Sequence, residues 1–594
     1  MRTRFSIRPV ALSLVMAAGL IARPALAVPP IRTVALNLDP IPNLGGNFFN
    51  APYLPVIDAH GRVAFSARTV STSLNTSGIW YETGSTLALL ARQSTAAPGG
   101  GTFGSFGGVP VWLSDTGRVM FSTPALAGDV GIWGHNGTSL VALARIGGPA
   151  PFSSTFSDLP GMPYLALANN GSAVFRASTS GANNGYTGLI FGQFESLALG
   201  ASTLSTIAPI GYTGFGALTA AGTGNIGLNA GYNDGSSSKQ GLYFGPPNAL
   251  NAIVSYNNAA GTPAPFQPSG VNFQSVIYPP GITSAGNALA FTAYLRGPGI
   301  DNTNTWSLWL NDNTGGLRQL IRQGDQVPGL PVGWRFIDPT TSSPRVPVVS
   351  ESRHIALYAP VQTSAPVSSR QTLIRIDPQG NIGVIAYEGG PAAGLPAGST
   401  ILNLVNTGGV PCMNVRGQLI YVAYVTLPDG SSREVVYATS QSGASRLLWI
   451  VNETQFEIRS GIFATLSSLT SPFNGYPLAQ GGDDGRRRCF NAQGQFVFPV
   501  NYTRVPSSAG AGTGVFVITA SDGCNAADLV GVGGSAGGDG QLTADDVIAF
   551  LAAFFAGNTS VADLVSVGGA PGGDGQLTAD DVIAFLSAFF APCP

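Results

Sequence analysis

Asp58-Ala59-His60-Gly61-Arg62-Val63-Ala64-Phe65 is a polar turn that releases the chain into an alternating apolar strand, and the stretch returns along the sequence. It comes back as Ser114-Asp115-Thr116-Gly117-Arg118-Val119-Met120-Phe121, then as Asn169-Asn170-Gly171-Ser172-Ala173-Val174-Phe175. Late copies occupy residues 414–421 and 491–498, and weaker ones residues 224–228, 287–291 and 353–357. A Gly- or Asn-bearing turn followed by apolar residues at every second position is the pattern of a hairpin strand. Second strands follow, such as Gly78-Ile79-Trp80-Tyr81 and Ser307-Leu308-Trp309-Leu310. A third often comes next, as in Leu140-Val141-Ala142-Leu143-Ala144-Arg145.

The turn positions 61, 117, 171, 224, 287, 353, 417 and 494 lie 56, 54, 53, 63, 66, 64 and 77 residues apart. Three or four short strands repeated at that length predict the blades of a β-propeller. The eighth unit stops after Gly514-Val515-Phe516-Val517 without its Leu-rich strand, and Thr33-Val34-Ala35-Leu36-Asn37-Leu38 near the start has that character. A ring closed by strands from both ends leaves no long free sheet edge. The expected fold is therefore mainly β, a propeller-like repeat domain of 7–8 blades over residues 28–520, with eight favoured. Two smaller β domains are the alternative, because Asn287 and Arg353 stand where the other copies have glycine.

Composition agrees. Gly and Pro supply 123 of 594 residues and charged residues only a tenth, which suits many short strands joined by tight turns. Residues 1–27 read as a cleaved signal peptide: Arg2, Arg4 and Arg8, an apolar run over 10–21, then Ala25-Leu26-Ala27. The run is too short for a transmembrane segment, which takes roughly 20 residues. No later stretch is long enough, so the expected location is secreted, extracellular or at the cell surface. Removing the segment takes four Arg and moves the net charge from −2 to −6, with no basic excess to attract nucleic acid.

The four cysteines, Cys412, Cys489, Cys524 and Cys593, suit an oxidising compartment. Cys412 and Cys489 each precede the turn glycine of their copy by five residues. Equivalent positions in adjacent blades face one another, so a disulfide is expected there, with two buried free thiols as the alternative. No C-x-x-C occurs and His60, His135 and His354 are far apart, which speaks against a zinc site.

The last 70 residues are duplicated at a shift of 35, each copy containing Gly-Gly-Asp-Gly-Gln-Leu-Thr-Ala-Asp-Asp-Val-Ile-Ala-Phe-Leu. This run matches the second half of an EF-type calcium loop. Asp539, Gln541, Thr543 and Asp546 are the candidate oxygen ligands of the first copy, Asp574, Gln576, Thr578 and Asp581 those of the second. Counting back for the first ligand gives Ser535 and Ala570, so Asp528 and Asp563 are preferred, at the cost of a seven-residue insertion. Residues 524–594 hold eight Asp, no Glu and no basic residue, a density of like charge that calls for cations. The competing reading gives Asp545, Asp546, Asp580 and Asp581 a helix N-terminal role with Thr543 and Thr578 as caps; it is preferred for Asp545 and Asp580, and calcium for Asp546 and Asp581. Each loop leads into a stretch with apolar residues at steps of three and four, an amphipathic helix. Its apolar arc is wider than a two-helix core needs, so it serves packing or a partner surface. Cys524 and Cys593 bracket the duplication and suit a staple.

Residues 524–594 resemble dockerins, closest to the disulfide-bracketed type ending in Cys-Pro, here Cys593-Pro594. The resemblance implies a small α-helical domain holding two Ca2+ ions and docking a cohesin-like or surface scaffold protein. Two functions follow as expectations. One is a propeller-like binding or structural body, with a carbohydrate or protein ligand, attached through the tail. The alternative is a carbohydrate-active enzyme of polysaccharide catabolism delivered by it. No catalytic residue is assigned. The Ser-x-Asp-x-Gly-x-x-Trp spacing of sialidase Asp boxes is absent around Asp58 and Asp115, and no nucleophile elbow, zinc-protease motif or phosphate loop has a convincing context.

Overall fold

The computed structural model describes residues 31–520 apart from 38, 42–46, 72–74, 85, 124–129, 151–153, 160–164, 181–186, 194–199, 203–211, 234–237, 248, 257–261, 340–345, 364–367, 406–410, 441–442 and 469–483. In the tail it describes 527, 529–531, 535–536, 542–562, 564–565 and 576–590. The expected signal peptide lies outside the described residues.

Each repeat folds into one antiparallel sheet, and eight such sheets follow in chain order as the blades of a propeller. Blade 1 shows the plan: Asn47–Ile57 innermost, then Val63–Ser71, Asn75–Thr83 and Thr86–Arg92 outward. Later blades vary it by splitting the inner strand. In blade 7, Thr400–Val405 pairs with the far part of Leu419–Thr426, while Cys412–Met413 pairs with its start.

Blade 8 is assembled from both ends of the body. Its strands Ile462–Ser468, Gln495–Val505 and Ala511–Thr519 are completed by Ile31–Leu36, which pairs antiparallel with Ala511–Thr519 from Ile31↔Ile518 to Leu36↔Gly514. The closing strand expected at residues 33–38 is therefore in place, two residues earlier at Ile31–Leu36.

Eight interblade interfaces carry eight separate apolar cores. Between blades 1 and 2, Val56, Ile79 and Tyr81 meet Phe103, Phe106, Val111 and Trp133. Between blades 8 and 1, Val497, Val515 and Val517 meet Phe49, Phe65 and Trp80. Both faces of a blade are covered by neighbours, so strands such as Ala288–Arg296 are buried over most of their length. Eight interfaces in one closed ring exclude both the seven-bladed and the two-domain alternatives.

The two copies without an aligned glycine have different explanations. In blade 5 the left-handed position is Gly286 (φ 61°), one residue before the Asn287 taken from the sequence. In blade 6, Arg353 itself adopts φ 63°. The turn is the same in both, closed by Gly286 N–H on Thr283 O and Arg353 N–H on Ser350 O, each at 2.9 Å.

Candidate functional site

Two regions carry side chains arranged beyond what packing requires, the tail and the axis of the propeller. In the tail, the helices Ala544–Phe555 and Ala579–Phe589 begin at Thr543 and Thr578, each with a capping box. Their core is small: Ala527, Phe550, Ala562 and Phe585 are the buried apolar residues, and the Phe550 and Phe585 rings stack with centroids 4.1 Å apart.

Asp546 and Asp581, the expected closing ligands, are fully buried at these helix starts. Asp546 Oδ1 accepts from Leu529 N (2.8 Å) and Val530 N (2.9 Å), and Oδ2 from Thr543 N (2.8 Å) and Thr543 Oγ1 (3.2 Å). The second copy repeats this with Leu564 N, Val565 N, Thr578 N and Thr578 Oγ1 on Asp581. Burial alone would raise the Asp581 pKa, but the three amide bonds outweigh it and hold the carboxyl below its usual range. Thr543 and Thr578 sit beside their Asp as caps, and Gln576 precedes the second helix. Asp528, Asp539, Gln541, Asp563 and Asp574 lie outside the described residues, as do Cys524 and Cys593. Among the described residues no three Asp, Glu, His or Cys side chains converge as a metal site.

On the outer face of the two helices the duplication leaves matched apolar side chains in solvent. Ile548 and Ile583 are 64% and 61% exposed, and Phe555 and Phe590 82% and 79%. Leu551 and Leu586 are exposed as well.

In the body, Cys412 and Cys489 meet as read from their spacing. Their sulfurs are 2.9 Å apart as two thiols in contact, and burial, then the neighbouring sulfur, pushes the Cys412 thiol well above its usual range.

The axis holds what the sequence reading passed over. Residues 484–488, Asp-Gly-Arg-Arg-Arg, run just before Cys489 and touch the inner strands of five other blades. Leu167 N donates to Gly485 O (2.9 Å), and Ala220 N to Asp484 O. Arg486 Nη2 reaches Pro347 O (3.2 Å), Arg487 Nε reaches Val111 O (3.1 Å), and Arg488 Nε reaches Ile57 O (2.9 Å). Only a segment lying in the central channel reaches blades 1, 2, 3, 4 and 6 together. At Gly485 (φ 76°) a β-carbon would fall 2.8 Å from Ala220 O, so only glycine passes.

The three arginines are 4–5% exposed. Arg486 pairs with Asp484 (Nε–Oδ2 2.7 Å) and Arg488 with Asp115. Arg487 has carbonyl acceptors, Val111 O and Leu54 O, and among the described residues no carboxylate. Burial pushes its pKa down to about 10, with the Cys489 sulfur acting in the opposite sense. The signal that could have found this plug is the run Arg486-Arg487-Arg488, three consecutive cations in a chain only a tenth charged.

The turns between first and second strands form a collar around one end of the channel. Hydrogen bonds link blades 1 and 2 (Ala59 N to Asp115 Oδ1, 2.7 Å), 4 and 5 (Asn225 Nδ2 to Gly286 O, 3.2 Å), and 5 and 6 (Ala285 N to Glu351 Oε2, 3.0 Å). Others link 6 and 7 (Ser352 N to Val415 O, 3.4 Å), 7 and 8 (Asn414 Nδ2 to Asn491 O, 3.1 Å), and 8 and 1 (Asn491 Nδ2 to Asp58 O, 2.9 Å). Asp58 is committed to its own turn and to Arg62 (2.6 Å), and Asp115 to the collar and Arg488. Both carboxylates are explained by structure.

No helix among the described residues is long and apolar enough to cross a membrane. Comparison with curated proteins gives no match. Among solved structures, a Mycobacterium tuberculosis puromycin-hydrolyzing peptidase is 10% identical with a TM-score of 0.33, over 73% of this chain and 62% of its own. The chain thus spans less than two thirds of that peptidase's length. Polysaccharide lyase Uly1 is 9% identical with a TM-score of 0.32, over 69% of this chain and 98% of its own. The Dos1 propeller is 10% identical with a TM-score of 0.29, over 70% and 91%. Likenesses this distant carry no argument about this chain. A family model does match, over residues 57–521, from the end of the first inner strand to just past the last strand of blade 8. The chain belongs to that family, the family of unknown function DUF7453.

Proposed function

We propose that this is an exported protein whose eight-bladed body is held at a scaffold or cell surface by a dockerin-like tail. The supporting observation is the matched apolar face of the two tail helices. Ile548, Leu551 and Phe555 recur as Ile583, Leu586 and Phe590, exposed in both copies, while Phe550 and Phe585 fill the small core. Large apolar side chains repeated in solvent on a small module are the surface a protein partner covers. The body then displays or binds, with a carbohydrate or protein ligand. An open rim groove of about 290 Å³ lined by Pro328, Leu330, Ile382, Val384 and Tyr387 is a place for one.

Calcium belongs to this reading. The candidate donors are all oxygen, the set that Ca2+ takes. Asp546 and Asp581 already accept four hydrogen bonds each, so ligation by them would exchange part of those bonds for the metal. The remaining ligands would be Asp528, Asp539, Gln541 and Thr543, with Asp563, Asp574, Gln576 and Thr578 in the second copy. The disulfides expected of an exported chain are Cys412–Cys489 and Cys524–Cys593.

The test is attachment. Phe555→Asp with Phe590→Asp should release the protein from its producing cells into the medium while the melting of the body stays unchanged. Retention of that double variant at the surface would defeat the proposal. Calorimetry of the full chain with calcium up to millimolar concentration decides the metal: an absence of binding heat removes calcium and leaves attachment to be judged by the variants.

A further inference from the structure

We infer that the plugged channel holds a small monovalent anion of chloride size against Arg487, at the cleft between the inner strand of blade 1 and blade 8. Three observations carry it. The first is an imbalance of charge. Among the described groups around the plug, Asp484 offsets Arg486, Asp115 offsets Arg488 and Asp58 offsets Arg62, which leaves the guanidinium of Arg487 without a counter-charge. An unpaired ion out of water is costly, and guanidinium keeps its proton at neutral pH even in such a site.

The second is an unused donor. Arg487 is 4% exposed, and its Nε and Nη2 are taken by Val111 O and Leu54 O, but its Nη1 is buried with no hydrogen-bond partner. Buried guanidinium N–H groups are rarely left unpaired. The third is a place for the ligand. A narrow cleft lined by Leu54, Val56, Arg487, Arg488, Cys489 and Val497 opens beside that side chain. Its walls are otherwise apolar apart from the Cys489 sulfur, so it offers an anion the unused Arg487 N–H and no competing carboxylate.

A bound anion would tie residues 484–488 to blades 1 and 8, and so link the plug to the seam where the ring closes. Binding to the folded state alone raises the melting temperature in proportion to the logarithm of ligand concentration above Kd.

The experiment uses the full chain. At constant ionic strength, replacing gluconate by chloride should raise the melting temperature of the body with the logarithm of chloride concentration, by about 2 °C. Arg487→Met should melt at one temperature in both salts. Crystals grown in bromide should show an anomalous peak within hydrogen-bond reach of Arg487 Nη1, a readout that needs no variant should Arg487→Met fail to fold. Equal melting of the native protein in both salts, or a chloride effect that survives Arg487→Met, overturns the inference. So does density at Arg487 explained by a water or by a side chain of the chain itself.

Discussion

The body and the tail solve the same problem with opposite resources. The body buries Trp80, Trp133, Trp306, Trp309 and Trp449 in interfaces that continue from blade to blade, so no sheet depends on its own small core. Among its described residues the tail buries four apolar side chains and leaves Phe555 and Phe590 in solvent. Its order comes from polar closure, two buried carboxylates each gathering the N–H groups of two chain segments. A repeat ring stabilises itself by continuity, whereas a short duplicated module needs charge, cross-links or a partner.

Deleting residues 28–45 is the severest way to probe the difference. It removes Ile31–Leu36 from the seam of the ring, exposes the edge of Ala511–Thr519 and uncovers part of the core between blades 8 and 1. Cooperative melting of the body should be lost in calorimetry while the helical signal of the tail persists. An unchanged transition would mean that the ring does not depend on its closing strand.

Acid should act on the tail first. The Asp581 carboxyl titrates below its usual range because its amide bonds outweigh burial, so the folded pKa is depressed. A depressed carboxylate contributes stability that is present above the unfolded Asp value, near 4, and is lost as pH falls through the folded pKa. Helicity of the tail should therefore hold from neutral pH to about 4 and fall below it. Asp581→Ala strands three part-buried amides at any pH, which costs about 3 kcal/mol and should unfold this half of the module. A tail that stays helical below pH 2 would contradict polar closure as its source of order.

The smallest effects belong to the collar and sharpen the contrast within the body. Gly417 (φ 81°) has His354 Nδ1 2.8 Å from where a β-carbon would sit, so Gly417→Ala should destabilise by about 2 kcal/mol in denaturant melts. Arg353 holds the same conformation without being glycine. Arg353→Gly should change stability by no more than about 1 kcal/mol, in the stabilising direction. A large loss there would mean that the Arg353 side chain, which donates to Thr314 Oγ1 at 3.2 Å, matters more than its backbone.

What the sequence determined by itself was whatever is written locally and repeated. Hairpin pattern and turn residues recur often enough to favour eight blades over seven, to single out residues 33–38 as the missing strand, which the structure sets at Ile31–Leu36, and to bring Cys412 and Cys489 together by equivalence of position. The tail duplication likewise announced two matched helices and their Thr caps. Local pattern also has limits, and the blade 5 turn shows one: Asn287 aligned by neighbour spacing, yet the left-handed residue is Gly286, because register is settled by strand pairing. Only the tertiary structure decided the rest. Asp546 and Asp581 carry no local sign of the amides of Leu529 and Leu564 that reach them, 17 residues away. Nothing local in Arg486-Arg487-Arg488 marks the run as buried. It becomes a channel plug through Val111, 376 residues from Arg487, and Ile57, 431 residues from Arg488. Contacts of that separation exist only once eight blades have closed around an axis, and no periodicity in the chain encodes which segment will fill it.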